Sequence, residues 1–423
     1  MTLTGTTLNG RRRVVAAAVI AVGLVAVAAC SSDPAEVADT TTRPTTSTTT
    51  TTTTTTMPPD TIVMGGQGNN LDAYAGEPEA DGTFRTQRVI TTAAQDAVNG
   101  LNINAQICPF RVQGDDSTYF VAGEDTGQPE IPPGWGIFRL DGDRVGELSA
   151  EKVSKLTPTY QPSVDGPENY GCGVLSDGRI VTTDVGNQVS NPGDGQLIVW
   201  FGPLSEGDAT YCKLDVALPT AQSILVRQDA AGNDELLVAT ARGGVFLYRG
   251  PFPTTGGPEG GCGQLDPTGA PLADSITKSL WLAGDGTNGM ATPAGLAPAP
   301  DGGVYVSSVF SGVINEYDAD ATFRRTILKP PDGEVLGEQP FSTGTPLGIG
   351  VDGQGNLFYA DIGITVGADG VGPGENMGTM RRIAFDNGEP QPPVTMNSGL
   401  AFPDGIGVII PPAGGGGGGL LIP

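Results

Sequence analysis

The sequence predicts an all-β fold, a six-bladed β-propeller whose ring is closed by strands from both ends of the domain. Three observations predict it. Short runs of β-branched and aromatic residues are separated by Asp-Gly and Gly-rich turns, the pattern of antiparallel hairpins. These runs recur as a self-similar unit of about 50 to 60 residues, long enough for a blade of three or four strands. The composition is that of a turn-rich β protein, with 65 Gly and 35 Pro among 423 residues and only 16% charged residues. A sandwich or a β-solenoid is the alternative architecture.

In each unit an apolar strand leads through a turn to a second apolar strand. A small or acidic residue follows, then a loop, Gly-x and a third strand ending in an aromatic residue. The clearest copies are Pro293–Ser308 with Gly312–Tyr317, Pro346–Asp361 with Gly378–Phe385, and Asn169–Asp184 with Gly195–Trp200. Looser copies run through Gln222–Arg227, Leu236–Ala241 and Gly244–Tyr248, and through Gln106–Val112, Thr118–Ala122 and Gly136–Leu140. The last copy, Ala401–Gly405 and Ile406–Ile410, holds an inner strand only. Thr61–Val63 and Phe84–Ile90 are the candidates to complete its blade, which would remove an exposed sheet edge.

The flanks cannot join such a core. Residues 1–29 read as an export signal: Arg11, Arg12 and Arg13, an apolar stretch, then the small pair Ala28-Ala29. The stretch is too short and Ala-rich for a membrane span. The arginines also hint at twin-arginine export, although their neighbours fit it poorly. Cys30 directly follows the small pair, and the site resembles the bacterial lipoprotein lipobox. That resemblance implies cleavage before Cys30 and a diacylglyceryl thioether with palmitate-type chains on it. It would anchor the protein extracytoplasmically, at the outer face of the bacterial cell membrane; the plain alternative is an ordinary signal peptide with a stray cysteine. Residues 30–59 are a stalk with an unbroken threonine run from Thr48 to Thr56 and almost nothing apolar to bury. Extended at about 3.3 Å per residue, the stalk reaches roughly 90 Å. The propeller domain is expected over 60–412. Residues 413–423, with six consecutive glycines from Gly414 to Gly419, are expected to be a disordered tail.

Charge and missing residue types narrow the chemistry. The formal charge of −25 becomes −28 when residues 1–29, with three arginines and no acid, are removed. Such a chain repels nucleic acid and anionic headgroups, so no nucleic-acid partner is expected. The membrane is reached only through the lipid, and the protein is expected to be a monomer. The chain has no histidine, which excludes Ser-His-Asp triads, Cys-His pairs and His-ligated zinc.

Cys108, Cys172, Cys212 and Cys262 remain after Cys30. An even count in an exported chain reads as two disulfides with three possible connectivities. Repeat alignment favours Cys108–Cys172, both on first strands of neighbouring blades, and Cys212–Cys262. In that alignment Cys212 follows an outer strand and Cys262 lies in a Gly/Pro-rich insert, 250–289. A thiol redox or metal site lacks any C-x-x-C spacing.

Residues Pro346–Asp361, Pro293–Leu296, Pro403–Ile406 and Ala283–Gly289 resemble the NHL-repeat and senescence-marker-protein/gluconolactonase type of six-bladed propeller, over most of residues 100–410. The resemblance implies one divalent cation at the channel mouth, held by oxygen ligands, which polarises a lactone carbonyl and activates water. Carried over residue by residue, Asp404 matches the aspartate motif, while Ala294 and Leu347 replace ligands at equivalent places. Glu168 and Asn169 precede another inner strand and supply one carboxylate and one amide. Quinone-cofactor sugar dehydrogenases share the six-bladed shape but rely on a histidine base that this chain lacks.

Two functions are therefore expected. The first is a non-catalytic envelope lipoprotein that binds a ligand or a protein and needs no cofactor. The second is a Ca2+-dependent lactone or ester hydrolase built on Glu168, Asn169 and Asp404. Asp184 and Asp361, at the ends of second strands, are expected to bond turn amides.

Overall fold

The computed structural model describes residues 60–67, 70–90, 103–112, 114–115, 117–124, 134–158, 168–186, 193–204, 209–256, 276–367 and 370–410. The export signal, Cys30, the stalk, Cys262 and the glycine tail lie outside the described residues, as do residues 257–275 of the insert. No helix among the described residues is long and apolar enough to cross a membrane.

Six four-stranded antiparallel sheets make the six blades. From the channel outward, blade 1 is Ile103–Arg111, Thr118–Glu124, Gly134–Asp141 and Ser149–Leu156. Blade 2 is Asn169–Val174, Ile180–Asp184, Gly195–Phe201 and Thr210–Leu218, and blade 3 is Ala221–Gln228, Asp234–Thr240, Gly244–Arg249 and Thr277–Ala283. Blade 4 is Pro293–Pro298, Val304–Ser308, Val313–Tyr317 and Phe323–Leu328. Blade 5 is Pro346–Val351, Leu357–Asp361, Gly378–Ile383 and Val394–Leu400, with an added hairpin of Ile364–Gly367 and Gly370–Pro373.

Blade 6 is the shared one. Its inner strand Pro403–Ile409 comes from the end of the domain and pairs antiparallel with Ile62–Gln67 from the start, Ile62 opposite Ile409. The sequence reading found this closure but missed the third strand, Asn70–Ala75, and the fourth begins at Thr86 rather than Phe84. Blades 1 to 5 each carry a fourth strand that the repeat pattern does not mark. One of them, Thr210–Leu218, contains Cys212 instead of preceding it, and another, Thr277–Ala283, turns part of the insert into regular sheet.

Strands of the first three layers read as continuous apolar runs because each sheet is buried on both faces by its neighbours. Leu175, Val181 and Val199 of blade 2 pack with Leu236, Val238 and Tyr248 of blade 3. Val63 and Tyr74 of blade 6 pack with Phe358, Ala360 and Met380 of blade 5. Each such buried aliphatic or aromatic side chain contributes about 1.5–3 kcal/mol relative to exposure.

Contacts among the inner two strand layers carry the ring all the way round. The disulfide Cys108–Cys172 joins blades 1 and 2, with Cα atoms 5.9 Å apart. The Thr183 hydroxyl donates to the Gln222 carbonyl between blades 2 and 3, and the Leu296 amide donates to the Ser223 hydroxyl between blades 3 and 4. The Ser307 hydroxyl donates to the Leu347 carbonyl between blades 4 and 5. A Cβ on Gly348 would lie 2.6 Å from the Asp404 carbonyl between blades 5 and 6, and one on Gly405 would overlap the Ala105 carbonyl between blades 6 and 1. Only glycine lets these backbones approach so closely. Cys212 is also disulfide-bonded; its expected partner Cys262 is outside the described residues.

Candidate functional site

The inner strands all begin on one face, here the mouth face, and each carries a bulge or irregularity near its start. The irregularity places one residue per blade at equivalent positions: Ala105, Tyr170, Gln222, Ala294, Leu347 and Asp404. Four of these, Ala105, Tyr170, Ala294 and Leu347, share one apolar cluster with Val309, Ile362 and Ile364. Ile362 and Ile364 come from the base of the blade 5 hairpin. The mouth positions thus carry mostly apolar side chains: beside Ala294 and Leu347, which the sequence marks as non-ligands, Ala105 and Tyr170 join the same cluster.

Below them the channel is stitched by Gln106. Its Oε1 accepts from the Cys172 and Ile224 amides at 3.2 and 3.0 Å, and its Nε2 donates to the Ile224 carbonyl at 3.0 Å. One side chain of blade 1 therefore satisfies backbone groups of blades 2 and 3.

Asp404 is 3% exposed. Its Oδ2 accepts from the Ala105 amide at 3.0 Å and its Oδ1 from the Gly405 amide at 2.7 Å, while its carbonyl accepts from the Tyr170 phenol at 3.0 Å. Burial pushes the Asp404 carboxyl up to about 6 despite the two amides, which favour the ionised form. Tyr170 is pushed well up by burial and by the charges of Asp404 and Glu168, so both acids lie within electrostatic range of one phenol.

The expected cation ligands meet only in that loose sense. Asn169 is buried and donates from Nδ2 to the Gly134 carbonyl at 2.6 Å. Glu168 is partly buried, and its backbone donates to Asp184 Oδ1 and accepts from the Val185 amide. A calcium ion needs six to eight oxygens. Asp404 spends its oxygens on amides, and three of the six equivalent positions are Ala or Leu. The residues present do not fit such an ion, and among the described residues no three acidic or thiol groups cluster to hold a metal.

Asp184 and Asp361 do anchor local turns. Asp184 accepts from Glu168, Gly186 and Gln196, and burial raises its carboxyl to about 6. Asp361 does more: Oδ1 accepts from the Thr345 amide and hydroxyl and the Gly363 amide, and Oδ2 from Thr379 Oγ1 and Arg381 Nη2.

The Asp361–Arg381 pair floors a cleft of about 330 Å³ on the mouth face of blade 5. Its walls come from residues 339–342, 376–377 and 398–399. The walls are tied in place: Glu334 accepts from the Ser342 amide and hydroxyl at 2.7 and 2.9 Å, and the Gly337 carbonyl accepts from Val366 of the hairpin at 2.6 Å. Sequence reading passed over this cleft, because it treated residues 362–377 as a loop between repeat strands. The one signal available was that this inter-strand segment is longer than its counterpart in blade 4.

No protein-family model matches the sequence, and no curated protein matches it. Among solved structures, a protein of unknown function from Bacteroides caccae is similar at 13% identity and TM-score 0.45, with 83% of this chain and 99% of that chain covered. The calcium-binding protein regucalcin from Agrobacterium tumefaciens is similar at 13% identity and TM-score 0.40, covering 69% and 74%. Virginiamycin B lyase from Staphylococcus aureus is similar at 11% identity and TM-score 0.36, covering 80% and 85%. The likeness is one of fold alone.

Proposed function

We propose that this protein is an exported propeller, lipid-anchored through Cys30, that acts as a ligand- or protein-binding module in the cell envelope. The observation that carries the reading is the contrast between its two candidate sites. The channel mouth is plugged by Leu347, Ile362 and Ile364, whereas the blade 5 cleft is open and walled by fixed loops. Preformed concave sites with a few convergent polar groups are the usual form of a ligand pocket. The pairing of Ile62 with Ile409 supports the anchored arrangement, because it brings the chain into the propeller on the face opposite the cleft.

The test has three arms on the full chain. Incorporation of a palmitate analogue should be lost in Cys30→Ala. A thermal-shift screen of small envelope components should give hits that disappear when Ser398→Trp blocks the cleft. Calorimetric titration with Ca2+ and assays on lactones and esters should show no difference between the native chain and Asp404→Asn. Tight Ca2+ binding and hydrolysis, both abolished in Asp404→Asn, would replace the binding reading with the gluconolactonase-like hydrolase.

A further inference from the structure

The blade 5 cleft has a chemistry that selects among ligands. Arg381 has five N–H donors. Three are used: Nε on Thr379 Oγ1 at 2.7 Å, Nη1 on the Ser342 carbonyl at 2.6 Å, and Nη2 on Asp361 at 3.1 Å. Two N–H groups remain on a guanidinium that lines the cleft. Around it the exposed side chains of Gln339, Asn376 and Ser398 make no hydrogen bond with any described residue. Together they offer donors and acceptors of both kinds at the edge of a concave surface.

Charge and polarity exclude other ligand classes. An anion meets a guanidinium already neutralised by Asp361, exposed Glu338 and Glu375 nearby in the chain, and a net charge of −25. A cation finds only Asp361 as an acid in the lining, with both of its oxygens taken by five donors. An apolar ligand would strip water from the amides and the guanidinium without replacing their hydrogen bonds. A neutral molecule rich in hydrogen-bonding groups remains, and a sugar is one whose hydroxyls both donate and accept.

Asn376 holds φ at +53° in the cleft wall, a left-handed conformation that asparagine adopts in tight turns.

We infer that the cleft over blade 5 is a saccharide site: it takes a neutral sugar whose hydroxyls bond Gln339, Asn376, Ser398 and Arg381. This rests on the binding-module reading and names its ligand class. The cleft volume lies at the small end of ligand pockets, which suits a short glycan end group more than a long chain.

The experiment is a glycan array probed with the labelled full chain, carrying neutral, sulfated and carboxylated oligosaccharides. Calorimetry with the best neutral oligosaccharide then compares the native chain with Asn376→Gly and Gln339→Ala. Glycine accepts the positive φ at Asn376 and Gln339 is exposed, so neither substitution threatens folding, and an unchanged melting temperature verifies this. Retention of neutral glycans, weakened at least tenfold by each substitution, is the expected result. Retention of no neutral glycan, or binding that both variants leave intact, overturns the saccharide assignment. Non-saccharide hits abolished by Ser398→Trp in the thermal-shift screen, without neutral glycan binding, would overturn it while leaving the binding module standing.

Discussion

The phenol of Tyr170 in blade 2 donates a 3.0 Å hydrogen bond to the backbone carbonyl of Asp404 in blade 6, bridging two blades that are not neighbours in the ring. The bond holds the last inner strand against the channel filling. Tyr170→Phe removes the donor and leaves a buried carbonyl without it, at a cost of about 1–3 kcal/mol. Urea unfolding should show a lower midpoint with an unchanged m-value.

Asp404 itself should make stability depend on pH. Burial pushes its carboxyl in the folded chain up to about 6, above the ordinary value of 3.8. The folded state therefore binds the proton more tightly than the unfolded state. The associated stability is fully present below about pH 4 and is lost as pH rises through 6, at most about 3 kcal/mol from a shift of this size. Asp184, also raised to about 6 by burial, adds in the same direction. Denaturation midpoints compared at pH 4.5 and 7.5 should differ less in Asp404→Asn than in the native chain; an equal difference would assign the dependence elsewhere.

Gly405→Ala should be among the most damaging single substitutions in the ring. A methyl there overlaps the backbone carbonyl of Ala105, which a rotamer change cannot relieve. Ala105 already sits at φ +79°, so little backbone freedom is left on that side. A loss of about 3 kcal/mol or more is expected, in the range of overpacking and backbone strain. Thermal unfolding would read it directly.

Reduction of the Cys108–Cys172 bridge should loosen blades 1 and 2 together. The two cysteines are 64 residues apart, and cross-linking a loop of that length restrains the unfolded chain by about 4 kcal/mol in the chain-entropy description. The Cys108→Ala/Cys172→Ala double variant avoids a new buried polar group and should unfold at lower urea than the native oxidised chain. Identical midpoints would mean that the bridge contributes nothing.

The inner layers of each blade were legible because burial on both faces imposes uninterrupted apolar runs, as in Leu236–Thr240 and Leu357–Asp361, set off by turns at fixed spacing. The fourth strands were not. Phe323–Leu328 grades from two exposed residues through two half-buried ones to two buried ones, so it shows neither alternation nor a continuous run. Asn70–Ala75 was hidden by an asparagine start and an acidic interior that Arg88 neutralises from the next strand. At the mouth, the sequence places Glu168, Asn169 and Asp404 near inner-strand starts. It cannot show that Asn169 turns its amide onto Gly134 or that Asp404 faces amides. The cleft gathers residues from five separate stretches between Gln339 and Gly399, and no local pattern announces that convergence.

The junction of Ile62–Gln67 with Pro403–Ile409 also sets a schedule. A chain emerging from its N-terminus presents three strands of blade 6 first, with one long edge unmatched, and supplies the matching strand only after five other blades have been made. Such a distant pairing slows folding and leaves an edge open to wrong partners in the interval. Truncation before Pro403 would therefore do more than trim a terminus: it would leave the chain waiting for a strand that never arrives.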